Sequence, residues 1–343
     1  MKTVFSPAHA RHHPHHEISD GTLKPAVEIP SRAEMVLAAI EAAGLGEILP
    51  PEPIDRALLE RIHDPAYVAF LETVWDAHRA AGRAEDEAFP FVWPTPGLRP
   101  DRAPRHLDGR MGFYSFDAGT PLTAGTFEAA LASASVAVTG AGLIAAGERS
   151  AFALCRPPGH HAMADRYGGY CFFNNAALAA ERLVADGRRV AILDVDYHHG
   201  NGTQAIFYDR GDVHVVSIHA DPDDEYPYFL GHADEIGEGH GEGANLNLPL
   251  ALGADWPVWS QALEIALGSI ERHRPDAVVV SLGLDPYEAD PISHFRLTSD
   301  DFSRLGARLG RIECPVLFVL EGGYAVEALG ANCAAVLTAF EGG

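Results

Sequence analysis

The sequence predicts an α/β fold: a central, mainly parallel sheet flanked by helices and interrupted by one long proline-rich insertion. Three observations predict it. Short β-branched runs alternate with longer helical patterns through the middle and C-terminal parts of the chain. The strand-like runs are almost continuously apolar, as strands covered on both faces are. Between residues 84 and 123 the periodicity stops, and Pro90, Pro94, Pro96, Pro100 and Pro104 fall among many charges. A loop of that length inside a compact domain serves as a lid, a binding loop or an oligomer contact.

In chain order, strands are expected at residues 3–6, 151–155, 190–194, 214–219, 277–283 and 316–320. Helices are expected at 31–43, 65–81, 126–146, 175–185, 256–273, 299–310 and 326–340. Ser31 followed by Glu34 reads as a capping box for the first helix, and Gly44 as its stop. Neither a repeat nor a composition break divides the chain. One domain over residues 1–343, carrying the insertion at 84–123, is the simplest organisation.

Composition bounds the function. The chain of 343 residues carries 25 Lys+Arg against 48 Asp+Glu, a formal charge of −23. That balance argues against nucleic acid or an anionic membrane surface as partner and leaves cationic small molecules open. Hydrophobic residues at 47% exclude intrinsic disorder. The N-terminus lacks an apolar core of signal length, and the longest apolar runs read as strand-sized. Cys155, Cys171, Cys314 and Cys333 form no CxxC pair, so free thiols in a reducing, cytoplasmic setting are expected. The histidines His12, His13, His15 and His16 are expected to be exposed loop residues.

Ligands of open parallel α/β sheets bind beyond the carboxyl ends of the strands. Those ends collect chemistry here. The strand at 151–155 runs into Arg156-Pro-Pro-Gly-His160-His161, and that at 190–194 into Val195-Asp196-Tyr197-His198-His199. The strand at 214–219 passes through Ser217 and Ile218, that at 277–283 ends near Asp285, and that at 316–320 runs into Glu321-Gly-Gly-Tyr324. On an extended segment Asp196 and His198 point to the same side, and Asp285 is the natural third ligand. Two carboxylates and an imidazole, completed by water, suit Zn²⁺ in an open catalytic site. His160 and His161 can stand over a reacting water as general base and acid, with Asp194 and Asn201 as orienting acceptors. An aspartate favours the charged imidazole more than an asparagine does, so the two rings should titrate differently. Tyr324, behind two glycines, can aim a phenol at a carbonyl oxygen.

The motifs RPPGHHA (156–162), GGYCFFNNAA (168–177), LDVDYHHGNGTQ (193–204), SLGLD (281–285) and EGGY (321–324) resemble those of the histone deacetylase family, in order and spacing over most of the chain. Within it, the HGNGTQ form, the FSPAH start and DPIS (290–293) are most similar to bacterial acetylpolyamine amidohydrolases. The resemblance implies an arginase–deacetylase fold and one zinc per chain on Asp196, His198 and Asp285. His161 becomes the principal general base and acid, His160 its electrostatic partner, and Tyr324 the group that polarises the scissile carbonyl. It also implies a structural potassium ion on Asp194, Ser217 and the carbonyls of Asp196, His198 and Ile218, and a second at Phe207, Arg210 and Val213. Gly169 and Tyr170 match a position that walls an aromatic tunnel, with Tyr226 the candidate facing wall.

The implied reaction is hydrolysis of an N-acetylated polyamine or diamine to acetate and a free amine, in a homodimer formed through the insertion. Asp108 stands where an acid meeting the distal ammonium is expected. A second such acid is missing, with Gly119 near its place, and Asp117 two residues earlier is the other candidate acid for the cationic substrate. That departure leaves chain length open between short acetyl-diamines, such as acetylputrescine or acetylcadaverine, and longer acetylspermidine. A protein acetyl-lysine deacetylase shares the chemistry but needs an open mouth, which the insertion disfavours. An arginase-like dimetal enzyme needs a second ligand set. A catalytically silent binding module would be expected to have lost His161, Tyr324 or a zinc ligand, and all are present.

Overall fold

The computed structural model describes residues 1–342. In chain order its strands are β1 (Lys2–Val4), β2 (His16–Ser19), β3 (Thr22–Pro25), β4 (Ile48–Leu49), β5 (Ser150–Ala153), β6 (Val190–Asp194), β7 (Val213–Ala220), β8 (Asn245–Leu250), β9 (Ala277–Leu282) and β10 (Val316–Leu320). Its helices are α1 (Ser31–Ala42), α2 (Arg56–Ile62), α3 (Pro65–Ala80), α4 (Leu107–Phe113), α5 (Thr126–Ala145), α6 (Asn175–Val184), α7 (Asn201–Phe207), α8 (Trp256–His273), α9 (Ser299–Leu309) and α10 (Val326–Glu341).

Eight strands form one sheet in the order β4-β1-β5-β10-β9-β6-β7-β8, and every pairing is parallel. The central strands obey the two-residue alternation of a pleated sheet. Val190, Ile192, Val279, Leu317 and Val319 face one core, shared with α2, α3, α5 and α6. Ala191, Leu193, Val278, Val280, Phe318 and Leu320 face the other, shared with α1, α8, α9 and α10. Register sets Asp194, at the end of β6, level with Ser217 of β7 and Ser281 of β9. The functional strand ends therefore meet on one rim.

All six expected strands and seven expected helices are present, with ends shifted by a residue or two. The structure adds β4, β8, the β2–β3 hairpin, and helices α2, α4 and α7. Strand β8 is half-buried at the sheet edge and contains two asparagines and Pro249, a pattern that reads as loop until a neighbour supplies the ladder. Helix α4 lies inside the insertion, which is pinned where Ala88 and Leu122 exchange backbone hydrogen bonds.

Three expectations are corrected. The first residue outside α1 is Pro30, and no side chain caps that helix, so Ser31 and Glu34 form no capping box. A reciprocal cap occurs at α9, where the Asp301 carboxylate accepts from the Thr298 N–H at 2.8 Å. The 20-residue α5, with mean hydropathy 1.5, is long and apolar enough by composition to cross a membrane. Its small residues instead pack on α6 and β5. His12 is buried, its Nδ1 3.0 Å from Thr126 Oγ1, while His13, His15 and His16 are exposed as expected. All four cysteines are free, and Cys155, Cys171 and Cys333 are buried.

Candidate active site

The stretch that follows β6 is wound so that each acid accepts from the backbone amide two residues on. Asp194 accepts from Asp196 N at 3.0 Å, and Asp196 from His198 N at 3.0 Å. From the end of β9, Asp285 accepts from Tyr197 N at 2.9 Å and lies 3.1 Å from His198 Nδ1. Asp196, His198 and Asp285 are buried and offer ligand atoms within 4.8 Å of one another. Only glycine fits the backbone that closes over them. A Cβ on Gly322 would fall 2.4 Å from Asp285 and 2.6 Å from Asp196, and one on Gly283 2.2 Å from Asp196.

The crowded charges make the cluster a candidate cation site. Burial and the Asp196 charge push the Asp285 carboxyl up to about 7. Burial disfavours the charge on His198, yet Asp196 and Asp285 outweigh it and hold the ring up to about 10. Two buried carboxylates crowded beside one imidazole are the donor set of a divalent metal, and their chemistry fits zinc.

The histidine pair follows β5. Its backbone is fixed by Glu321, whose buried carboxylate accepts from Gly159 N at 2.7 Å and His160 N at 3.1 Å. The rings lie 4.0 Å apart, centroid to centroid. His160 Nδ1 is 2.9 Å from Asp194 Oδ2, and His161 Nδ1 is 2.6 Å from Asn201 Oδ1. Burial opposes the charge on His160, but Asp196 and Asp194 raise it to about 10. His161 is driven well below the ordinary histidine range by burial and by neighbouring His160 and His198. The expected asymmetry is present, with a charged ring beside a neutral one.

Tyr324 is buried beside the same cluster, its N–H donating to Asp290 Oδ2 at 2.7 Å. Arg32 supports its loop from α1, donating to the carbonyls of Glu321 and Gly323 at 2.6 Å each and lying 4.6 Å over the Tyr324 ring. Glu28 neutralises Arg32 and also Arg156, at 2.9 and 2.8 Å. Burial raises the Tyr324 phenol well above its ordinary value against the opposing pull of Arg32, so it remains a proton donor.

Aromatic rings flank these groups, where the walls of the expected passage fall. Tyr226 packs edge-on to His161 at 5.1 Å and to His198 at 6.1 Å, and Tyr170 edge-on to Tyr324 at 5.6 Å. Gly169, at φ +55°, lies so close to His161 that a Cβ there would sit 2.2 Å from the ring. The Tyr170 hydroxyl donates to Glu17 at 3.1 Å, and the Tyr226 hydroxyl to Asp117 at 2.7 Å. Asp108, at the start of α4, pairs with Arg83.

At the positions expected to hold potassium, Asp194 and Ser217 are register partners, and Ser217 Oγ lies 2.7 Å from His219 Nδ1 beside buried Ile218. At the second, Arg210 N donates to Phe207 O at 3.0 Å just before Val213 opens β7. A separate cleft of about 800 Å³, lined by Ile270, Arg274, Ile312 and Cys314, lies at the amino ends of β9 and β10, away from this chemistry.

Sequence reasoning missed Glu17, Glu28, Arg32 and the Glu321 side chain. The last two were visible only as a helix residue and a motif letter, since nothing in a sequence marks a charge as buried.

The chain belongs to the histone deacetylase family: the histone deacetylase domain matches residues 26–340. The chain is 54% identical to acetylpolyamine amidohydrolase 2 of Pseudomonas aeruginosa, covering 100% of this chain and 99% of the relative. It is 46% identical to acetylpolyamine amidohydrolase of Mycoplana ramosa over the full length of both. The crystal structure of acetylpolyamine aminohydrolase from Burkholderia pseudomallei superposes with a TM-score of 0.94 at 40% identity, covering 99% of this chain and 98% of that one.

Proposed function

We propose that this protein is a zinc-dependent amidohydrolase that deacetylates N-acetylated polyamines or short acetyl-diamines, among them acetylputrescine, acetylcadaverine and acetylspermidine. The observation that carries the reading is the arrangement at the base of the aromatic passage. Neutral His161, charged His160, the Tyr324 phenol and the Asp196–His198–Asp285 cluster lie together there. Zinc bound by Asp196, His198 and Asp285 would supply Lewis acidity to the acetyl carbonyl and make a water acidic enough to attack.

The chain's own groups do the rest. His161, held by Asn201 and kept neutral, takes the proton of the attacking water. His160, charged against Asp194, stabilises the negative charge that develops, and a protonated histidine returns a proton to the leaving amine. Tyr324 donates to the oxygen that becomes the oxyanion. Tyr170 and Tyr226 enclose the methylene chain, exclude water and present ring faces to a cation. Potassium at Asp194, Ser217 and Ile218 would brace the same strand end, with a second ion at Phe207, Arg210 and Val213. The insertion, with Asp108, is the surface through which two copies pair and the acid that meets the distal ammonium in this reading, in a cytoplasmic enzyme.

The test is acetate release from acetylputrescine, acetylcadaverine, acetylspermidine and an acetyl-lysine peptide. Turnover of at least one amine above the peptide supports the reading. Rapid turnover of the peptide with none of the amines replaces it with a protein deacetylase.

A further inference from the structure

Asp117 belongs to the far end of the insertion, yet its half-buried carboxylate is held by groups from both walls of the passage. Oδ2 accepts from Gly169 N at 2.6 Å, from the Tyr226 hydroxyl at 2.7 Å and from Thr120 Oγ1 at 3.4 Å, while Oδ1 accepts from Thr120 N at 3.0 Å. Thr120 adds a second strap, its hydroxyl accepting from Tyr170 N at 3.0 Å. Gly169 and Tyr170 form one wall of the passage, and Tyr226 belongs to another loop more than fifty residues on. Both walls bear on the same ring: Gly169 lies against His161, and Tyr226 meets it edge-on at 5.1 Å. One carboxylate therefore ties two separate walls together at the depth of the reacting histidine.

We propose that Asp117 is a positioning residue that fixes the width of the passage and so restricts it to unbranched methylene chains, rather than an acid that meets the substrate's ammonium. The inference rests on the functional reading above. Oδ2 already serves three donors from the two walls and Thr120, so the oxygen that bridges the walls is committed to them, and only Oδ1, with Thr120 N as its single donor, keeps a lone pair. Released from Asp117, the half-buried Tyr226 hydroxyl loses its protein acceptor and the Gly169 N–H its anchor, so both walls can part. Asparagine cannot replace the acid. Turning its amide oxygen toward Gly169 and Tyr226 sets its NH₂ against the Thr120 N–H.

The experiment compares the wild type, Asp117→Asn, Tyr226→Phe and the double variant in full-length, zinc-loaded protein. Three substrates are used: acetylputrescine, N-acetylbutylamine, which has the same length without the ammonium, and acetylputrescine methylated on the carbon beside the amide nitrogen. Asp117→Asn should raise KM about tenfold for both straight-chain substrates alike, with kcat changed less than threefold. The preference for straight over branched substrate should fall at least tenfold in each single variant. The double variant should be no worse than the more affected single, because both break one link. A loss confined to the charged substrate, additive losses, or an unchanged preference would overturn the proposal.

If the wild type turns over no acetylated amine, the functional reading fails on its own, and the width is read by binding instead. Straight-chain alkyl hydroxamate should then bind the wild type at least tenfold more tightly than its branched isomer, and Asp117→Asn should erase the difference. Equal discrimination in both proteins sinks the tether. Tyr226→Phe, which removes only a hydroxyl, carries the comparison if Asp117→Asn does not fold.

Discussion

His160 and His161 stand with ring centroids 4.0 Å apart but lean on opposite kinds of acceptor, the Asp194 carboxylate at 2.9 Å and the Asn201 amide oxygen at 2.6 Å. Adjacent and both buried, the two imidazoles differ because Asp196 and Asp194 hold His160 charged, while burial and the neighbouring His160 and His198 keep His161 neutral. The arrangement gives the site a fixed positive charge and a free base side by side.

Asn201→Asp should erase that difference. A carboxylate on His161 Nδ1 raises the pKa of the ring, and the base acts only when neutral, so activity is lost at a higher pH than before. The acidic limb of kcat/KM should move upward by about one pH unit. A pH–rate profile checks this, and an unmoved limb removes His161 from the role of base.

Tyr324→Phe deletes the phenol while leaving the ring against Arg32 and Tyr170. An oxyanion donor is worth about 10²–10³ in kcat. A loss of that size with unchanged zinc content and a nearly unchanged KM is expected from steady-state kinetics and metal analysis.

Arg32→Ala should cost both stability and rate. The buried guanidinium holds the carbonyls of Glu321 and Gly323 and offsets Glu28, which would be left to Arg156 alone. Breaking one partner of a buried ion pair costs about 3–5 kcal/mol. Denaturant titration measures the first effect, and kcat the displacement of the Tyr324 loop.

The fold should weaken in mild acid. His63 donates from Nδ1 to Met163 O at 3.0 Å and accepts at Nε2 from Asn174 N at 3.0 Å, so it is buried neutral, with its pKa lowered by burial from 6.5 to about 4. Between those values the unfolded chain binds a proton that the folded one does not. Stability is therefore full above pH 6.5 and declines as pH falls toward 4, by about 3 kcal/mol for this residue at most. Unfolding free energies at pH 7.5 and 5 should show the decline, and His63→Gln should shrink it.

Much of this site was legible because the chemistry sits at strand ends, where an apolar run stops at a polar motif. Asp196, His198 and Asp285 could be grouped by alternation and sheet topology alone, and the orienting roles of Asp194 and Asn201 by polarity. Partnerships between distant loops were not legible. Glu17 rests on Tyr170 from 153 residues away, and Asp117 on Tyr226 from 109. The expected role of Asp117 as an open substrate acid was read from position without its partners. In the fold, β8 was hidden because an edge strand with polar alternation and Pro249 owes its ladder to β7 rather than to its own propensity.

The central claim is metal-dependent hydrolysis of a small acetylated amine, and one measurement tests it most directly. Acetate release from acetylputrescine is followed in protein of known metal content, after chelation, and after zinc is restored. The account predicts one zinc per chain, loss of turnover on chelation and recovery with zinc. Undiminished turnover in metal-free protein, or two manganese ions per chain with no acetate released, would contradict it.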